Sequence, residues 1–264
     1  MKQIKINNTW IKYLEKDNNS KITLLCIHGY DSSSDTFDQL YDIENNFNII
    51  SINIPGNKYS KHVDMNMEEI TDLFNKFIKK IKTKIILVGH SFGGAVIVSL
   101  KNTRRIKGYV FVASLTPSLL NSRIHSSLIT MANKNIPKTI MGKMATTHAK
   151  KFGYDAEFAL SFITLTKGFE TIRNECLINK NYIRNILSEK FQSVNKPIYS
   201  MIGAKDLVIP RKQYKEYFQN SFNVDTKLIP GAKHNPMKQQ PDHVNDYLNS
   251  LFDFKKRKRK MTSM

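Results

Sequence analysis

The chain has 264 residues, of which 41 % are hydrophobic, and it carries a formal net charge of +19. This composition is typical of a soluble globular protein, and its two distant cysteines, Cys26 and Cys176, give no sign of a disulfide framework. It offers no apolar run near the roughly 20 residues of a membrane span and no apolar leader, so we expect a cytoplasmic protein without a secretory signal.

The first part of the chain alternates between strand-like and helix-like segments. Two alternating segments flank Asn7 and Asn8, which tolerate the positive φ of a tight turn, and they predict a β-hairpin. Continuous apolar runs indicate strands that are buried on both faces, with amphipathic helices between them. The predicted strands are 3–6, 9–15, 22–27, 47–54, 85–88 and 106–113, and the predicted helices end near 43, 82 and 100.

The alternation stops between residues 114 and 192, where helical patterns dominate, and it resumes afterwards. We predict an α/β core formed by residues 1–113 and 193–254, with a mostly parallel sheet covered by helices on both sides. Residues 114–192 are expected to be an inserted helical cap, and residues 255–264 a basic, disordered tail. The later predicted strands are 196–203 and 226–229, and the later helices are about 211–219 and 242–254.

The most informative motif is Gly89-x-Ser91-x-Gly93, which follows an apolar run and precedes a second one. A strand that turns sharply into a helix holds its central residue in an unusual conformation, so the flanking positions must lack side chains. We therefore predict that Gly89 and Gly93 form an elbow and that Ser91 is a nucleophile. The alternative is a tight glycine-rich turn with an inert serine.

A serine nucleophile needs a base, and the base needs an orienting carboxylate, at the carboxyl ends of the strands. Asp206 comes just after strand 196–203, and His234 comes just after strand 226–229. Both lie downstream of Ser91, in the order Ser, Asp, His. Since neither the order nor the placement was used to choose Ser91, we predict that the three residues form a catalytic triad.

An acyl-transfer site also needs donors for a developing oxyanion. The Phe92 N–H is one candidate, because it lies at the start of a helix. The Tyr30 N–H is the other, because Gly29 lets the backbone pass close to the serine; the Tyr30 side chain either lines the pocket or packs in the core. His28 and His90 are expected to be structural or to shape the pocket.

With these features the chain resembles the serine hydrolases of the α/β-hydrolase fold, of the esterase/lipase type. The matching segments are His28-Gly29-Tyr30, Gly89-His90-Ser91-Phe92-Gly93-Gly94, Asp206-Leu207-Val208-Ile209-Pro210 and Gly231-Ala232-Lys233-His234-Asn235-Pro236. The resemblance covers residues 3–254, with 114–192 in the place of the family's variable cap. The resemblance implies that Ser91 is the nucleophile, Asp206 the acid and His234 the base, and that the Tyr30 and Phe92 amides bind the oxyanion. The serine at the elbow argues against dehalogenases and epoxide hydrolases, which resemble this fold but have an aspartate there.

The expected reaction is the hydrolysis of carboxylic esters with short or medium acyl chains. We expect no metal and no organic cofactor, because the sequence has no Cys/His cluster with ligand spacing. The same fold also serves thioesterases, C–C bond hydrolases, peptidases and ligand sensors, and these alternatives stay open.

The positive charge raises one further alternative, a protein that binds an anionic surface. Six basic residues form the run 255–260, while the other positive charges are spread along the chain. We expect the spread charges to be solvated, and the tail to make at most a weak contact with an anionic membrane or a nucleic acid.

Overall fold

The computed structural model describes residues 1–60, 63–121, 143, 146–147 and 168–252. Within these residues eight strands form one sheet, in the order β1-β2-β4-β3-β5-β6-β7-β8. The strands are β1 (Lys2–Ile6), β2 (Thr9–Lys16), β3 (Ile22–Ile27), β4 (Asn48–Ile52), β5 (Lys84–His90), β6 (Ile106–Val112), β7 (Ile198–Gly203) and β8 (Lys227–Ile229).

The sheet is antiparallel at one edge and parallel elsewhere. β2 pairs antiparallel with both β1 and β4, and the pairs from β4 through β8 are parallel. Asn7 and Asn8 form the hairpin turn with φ angles of 48° and 64°. The predicted mostly parallel sheet with an N-terminal hairpin is confirmed. The edge strands of the sheet are β1 and the three-residue β8. Trp10 of β2, next to β1, is half exposed.

The helices cover both faces of the sheet, and none in the described part of the chain has the length and apolar character that a membrane span requires. They are α1 (Gln39–Asp42), α2 (Met67–Ile78), α3 (Phe92–Ser99), α4 (Glu170–Ile172), α5 (Leu187–Gln192), α6 (Arg211–Phe222), α7 (Pro236–Gln239) and α8 (Pro241–Phe252). Short 3-10 turns lie at Ser34–Phe37 and Pro117–Asn121, and π-helical turns at Arg173–Leu177 and Tyr182–Ile186.

The helix predicted to end near residue 43 has about the expected extent, but it consists of a 3-10 turn, Ser34–Phe37, and a separate short helix, Gln39–Asp42, instead of one continuous helix. The Ser33 side chain accepts a hydrogen bond from the Asp35 N–H, and the Asp38 side chain accepts one from the Gln39 N–H. Each such cap starts a new helical turn, because it satisfies an N–H group that would otherwise lack an acceptor. Two caps close together therefore divide the segment.

Alternate residues of the central strands face opposite layers of the core. In β3, Leu25 and Ile27 pack in the layer that contains Phe74 of α2, whereas Leu24 and Cys26 pack in the layer that contains α8. Both faces of the strand are thus covered, which explains its continuous apolar sequence. The carboxyl ends of the parallel strands lie along one edge, where the candidate site is found.

Residues 168–192, which belong to the predicted cap segment, pack into the same core. Phe169 and Phe191 are fully buried in the layer that contains α2 and α3, and the Phe191 ring centroid lies 4.9 Å from that of Phe111 in β6. Most of the rest of the predicted cap, at 122–142, 144–145 and 148–167, lies outside the described residues, as does the chain after residue 252. The division into core, cap and tail therefore stays a prediction.

Candidate active site

Ser91 lies in the sharp turn between β5 and α3, with a φ of 51°. A side chain on either flanking glycine would collide with the backbone. A Cβ on Gly89 would lie 2.6 Å from the Gly93 carbonyl oxygen, and one on Gly93 would lie 2.2 Å from the Ile27 carbonyl oxygen. This is the crowding that the sequence predicted for the two positions.

The backbone around Ser91 is held by hydrogen bonds from the next strand and loop. The Ser91 N–H donates to the Val112 carbonyl at 3.0 Å, and the Ser91 carbonyl accepts from the Leu115 N–H at 2.8 Å. The Ser114 hydroxyl donates to the Gly89 carbonyl at 2.7 Å. A positive φ at a serine costs of the order of 1–3 kcal/mol and persists only where the surroundings enforce it. These bonds enforce the turn and fix the position of the hydroxyl.

The structure brings Ser91, His234 and Asp206 into one line of contacts. The Nε2 atom of His234 lies 3.1 Å from Ser91 Oγ, and its Nδ1 atom lies 3.0 Å from Asp206 Oδ2. The Asp206 side chain is fully buried, while that of His234 is 13 % exposed. The imidazole therefore bridges a hydroxyl and a carboxylate within hydrogen-bond distance of both.

Both Asp206 oxygens have donors. Oδ1 accepts the N–H groups of Val208 at 2.8 Å and Ile209 at 3.1 Å, so Oδ2 is the oxygen that faces His234. A carboxylate in this position accepts from Nδ1–H, and the tautomer with a lone pair on Nε2 is then favoured. That lone pair points at the Ser91 hydroxyl.

Close backbone packing aligns the loops that carry Asp206 and His234. A Cβ on Gly203, at the end of β7, would lie 1.9 Å from the Lys233 carbonyl oxygen. The Lys205 N–H donates to the Ala232 carbonyl at 2.7 Å. The two loops follow neighbouring parallel strands, so these contacts bring Asp206 and His234 together although they are 28 residues apart.

The loop after β3 passes close to the serine. A Cβ on Gly29 would lie 3.0 Å from Ser91 Cβ and 3.5 Å from Ser91 Oγ. Phe92 is the first residue of α3, so its N–H has no acceptor within the helix. The Tyr30 ring is buried and packs edge-to-face on Phe169, with ring centroids 5.4 Å apart. Of the two roles expected for this side chain, pocket lining or core packing, the structure shows core packing. The oxyanion role of the Tyr30 and Phe92 N–H groups stays a prediction.

His28 holds the loop after β3 in place. It is fully buried, its Nδ1–H donates to the Gly29 carbonyl at 2.8 Å, and its Nε2 accepts the Ile54 N–H at 2.9 Å. Burial lowers the pKa of His28 to about 4, so the ring is neutral and can donate and accept at the same time. This is a structural role, one of the two expected.

His90 contacts the site in a way that the sequence did not reveal. Its Nε2 lies 2.8 Å from the carbonyl oxygen of His234, and the two rings are 5.0 Å apart. The residues are 144 positions apart: His90 ends β5, and His234 lies in the loop after β8, which is not a neighbour of β5 in the sheet. The only signal in the sequence was that His90 lies between the end of a predicted strand and Ser91.

Comparison with known proteins identifies the family. Residues 24–246 match the model of the alpha/beta hydrolase family. A protein of Mycoplasma pneumoniae named "Putative esterase/lipase 2" is 27% identical over 256 residues, which cover 92% of this chain and 93% of that protein.

Two solved structures have the same fold. One, described as a "putative lipase" from Acinetobacter baumannii AYE, has a TM-score of 0.73 at 17% identity and covers 97% of this chain and 92% of its own. The other, a thermophilic esterase from Thermogutta terrifontis, has a TM-score of 0.68 at 15% identity, with coverages of 96% and 98%. At such identities the likeness shows the fold alone. Because the family model matches most of the chain, from residue 24 to residue 246, the protein belongs to the alpha/beta hydrolase family.

Proposed function

We propose that the protein is a serine hydrolase that cleaves carboxylic esters, with Ser91 as nucleophile, His234 as base and Asp206 as the orienting acid. The observation that carries this proposal is the line of contacts through the imidazole, 3.1 Å to the hydroxyl and 3.0 Å to the carboxylate. Membership of a hydrolase family supports it, as do curated relatives that are named as esterases or lipases.

The first half-reaction transfers the acyl group to the enzyme. Ser91 Oγ attacks the ester carbonyl carbon while its proton passes to Nε2 of His234, and the carbonyl electron pair moves onto the oxygen. When the tetrahedral intermediate collapses, the bond to the alcohol oxygen breaks and that oxygen takes the proton from Nε2. The products are an acyl ester on Ser91 and the free alcohol.

The second half-reaction releases the acid. Water attacks the acyl carbon and gives a proton to His234, and collapse of the second intermediate returns that proton to Ser91 Oγ. Asp206 keeps Nδ1 protonated throughout and stabilises the imidazolium that forms. Every proton moves among Ser91, His234, the substrate and water, so these steps call for no metal or organic cofactor.

The oxyanion of both intermediates is expected to accept hydrogen bonds from the Tyr30 and Phe92 N–H groups. Phe92 begins α3, so the partial positive charge of the helix N-terminus adds to the hydrogen bond. Removal of one such donor typically costs about 3 kcal/mol of transition-state stabilisation. The loop after β3 passes close to Ser91 at Gly29, which supports the adjacent Tyr30 N–H as the second donor.

We propose a small ester with an apolar, short or medium acyl group as the substrate. The predicted cap over Ser91 would then set the chain length. A contact of the C-terminal tail with an anionic membrane or a nucleic acid remains a separate proposal, and deletion of residues 255–260 in a salt-dependent binding assay tests it.

The direct test is hydrolysis of p-nitrophenyl esters of increasing acyl length. We expect turnover by the wild-type chain, loss of at least about 1000-fold in the Ser91→Ala variant, and labelling of Ser91 by a fluorophosphonate probe. The exposed Ser250 on α8 provides the matched control, Ser250→Ala, which should keep full activity. Unchanged hydrolysis by Ser91→Ala would remove Ser91 from the mechanism. Probe labelling without ester turnover would favour thioester, amide or C–C substrates.

A further inference from the structure

His90 is a buried polar residue that the reaction steps above do not use. It is the last residue of β5 and is followed directly by Ser91. Only 5 % of the residue is exposed, and its Nδ1 has no hydrogen-bond partner among the described residues. Its Nε2 lies 2.8 Å from the His234 carbonyl oxygen. Burying an imidazole nitrogen without a hydrogen-bond partner costs free energy. The burial of His90 at this position therefore needs an explanation.

The protonation state of His90 follows from its surroundings. A carbonyl oxygen can only accept, so Nε2 carries the proton and donates it. Burial, together with the nearby His234 and His28 rings, lowers the pKa of His90 to about 3, so the ring is neutral. Neutrality matters here, because a second positive ring 5.0 Å from His234 would oppose the imidazolium that forms in the reaction.

Through this contact, His234 interacts with two consecutive residues of the chain, His90 and Ser91. Ser91 Oγ meets the side chain of His234 at 3.1 Å, and the preceding residue, His90, meets the backbone of the same histidine at 2.8 Å. β5 and β8 are separated in the sheet by β6 and β7. The contacts described above that align the His234 loop, from Gly203 and Lys205, come from the end of β7 and the loop after it. The His90 contact instead joins that loop directly to β5, the strand that leads into Ser91.

We propose that His90 is a positioning residue: its Nε2–H holds the His234 carbonyl and thereby sets where the His234 imidazole lies relative to Ser91. This inference rests on the proposed function of Ser91 and His234. A displacement of about 1 Å between reacting groups can cost on the order of 100-fold in rate.

The competing explanation is that His90 only fills space beneath the elbow. Two variants of similar size separate the two roles. In His90→Gln the side-chain amide nitrogen reaches about as far from Cβ as Nε2 does, so a donor to the carbonyl is kept. In His90→Phe the ring is kept and the donor is lost. His90→Asn, whose amide is too short to reach the carbonyl, replaces His90→Phe if that chain does not fold.

The control is a buried polar contact at the far end of the sheet. Thr23 is buried in β3, and its hydroxyl lies 2.6 Å from that of Thr83. Thr23→Val should lower stability without a change in kcat. Rates are expressed per site titrated with the fluorophosphonate probe, so that unfolded protein does not enter kcat.

We expect kcat of His90→Phe to fall about 10- to 100-fold with KM changed less than about threefold, and His90→Gln to stay within about threefold of wild type. Equal kcat in His90→Phe and wild type, or equal loss in His90→Gln and His90→Phe, would overturn the proposal.

A second readout does not depend on turnover. Nuclear magnetic resonance of the imidazole nitrogens reports the tautomer and mobility of His234, and these should match wild type in His90→Gln and become averaged in His90→Phe. If the wild-type chain hydrolyses no ester, the proposed function fails by itself, and the His234 spectra still decide the role of His90. Identical His234 spectra in all variants would refute that role.

Discussion

The Asp206→Asn variant tests the proposed roles of acid and base most sharply. The side chain keeps its shape, but one of its two oxygens becomes an NH2 group. In the native site Oδ1 accepts the N–H groups of Val208 and Ile209, and Oδ2 accepts from Nδ1 of His234. An amide that turns its NH2 toward the two backbone donors would leave both of them without an acceptor, at about 1–3 kcal/mol each.

The amide oxygen should therefore stay with the backbone donors and the NH2 group should face His234. Nδ1 of His234 then has to accept, so the proton moves to Nε2 and no lone pair faces Ser91. All the buried hydrogen bonds are kept, so we expect the free energy of unfolding to change by less than about 2 kcal/mol. The rate should fall about 10,000-fold, as expected for a triad in the wrong tautomer, which corresponds to about 5.5 kcal/mol in the barrier.

The assay is kcat for a p-nitrophenyl ester per mole of folded protein, with the folded fraction taken from urea unfolding of the same samples. Asp225→Asn is the matched control, because Asp225 is exposed and precedes β8 instead of following a strand. A folded Asp206→Asn chain that loses less than tenfold in kcat would refute the role of Asp206 in setting the tautomer. A large loss of stability would refute the expected orientation of the amide.

Three further predictions concern folding. Gly93→Ala should lower the free energy of unfolding by about 3 kcal/mol in urea titrations, because its Cβ would lie 2.2 Å from the Ile27 carbonyl oxygen. In the control Gly108→Ala, the Cβ would lie 3.2 Å from the nearest carbonyl oxygen, and the loss should be less than about 1 kcal/mol. Equal losses would contradict the steric argument. Burial lowers the pKa of His28 to about 4 and that of His90 to about 3. In the unfolded chain a histidine pKa is near 6.5, so the unfolded chain binds more protons than the folded one, and stability is lost as pH falls below about 6.5. His90→Gln should reduce that loss between pH 6 and 5 by about 1.4 kcal/mol per pH unit, and an unchanged slope would be inconsistent with a buried neutral ring. Asn66→Ala removes the capping box of α2 and should cost about 1 kcal/mol; no measurable shift of the urea midpoint would count against that cap.

The sequence predicted best the features that depend on local backbone geometry or on the order of strands and helices along the chain. The crowding around Gly89 and Gly93 follows from the backbone of a sharp strand-to-helix turn, and it was predictable from the motif. The meeting of Asp206 and His234 followed from the rule that parallel strands end at one edge, although their spacing in the chain carries no such information. The rule uses only the order of elements, which apolar runs reveal well.

Other features depended on contacts that no local pattern encodes. The segment after Asp31 contains several capping residues, and which of them start a turn is decided by the structure around Ser33 and Asp38. The His90 contact joins two strands through a backbone carbonyl, and any residue type can supply such a carbonyl. A pattern of residue types cannot specify that partner.

The place of His234 in the fold has a practical consequence for measuring inactivation. His234 follows β8, a three-residue edge strand, and edge elements with few partners open locally at a lower free energy than the whole domain. The only tryptophan, Trp10, lies in β2 near the opposite edge. Trp10 fluorescence therefore does not report local opening at the β8 edge, so thermal tolerance of the proposed activity should be scored by residual turnover. A fluorophore near the β8 edge would detect that opening.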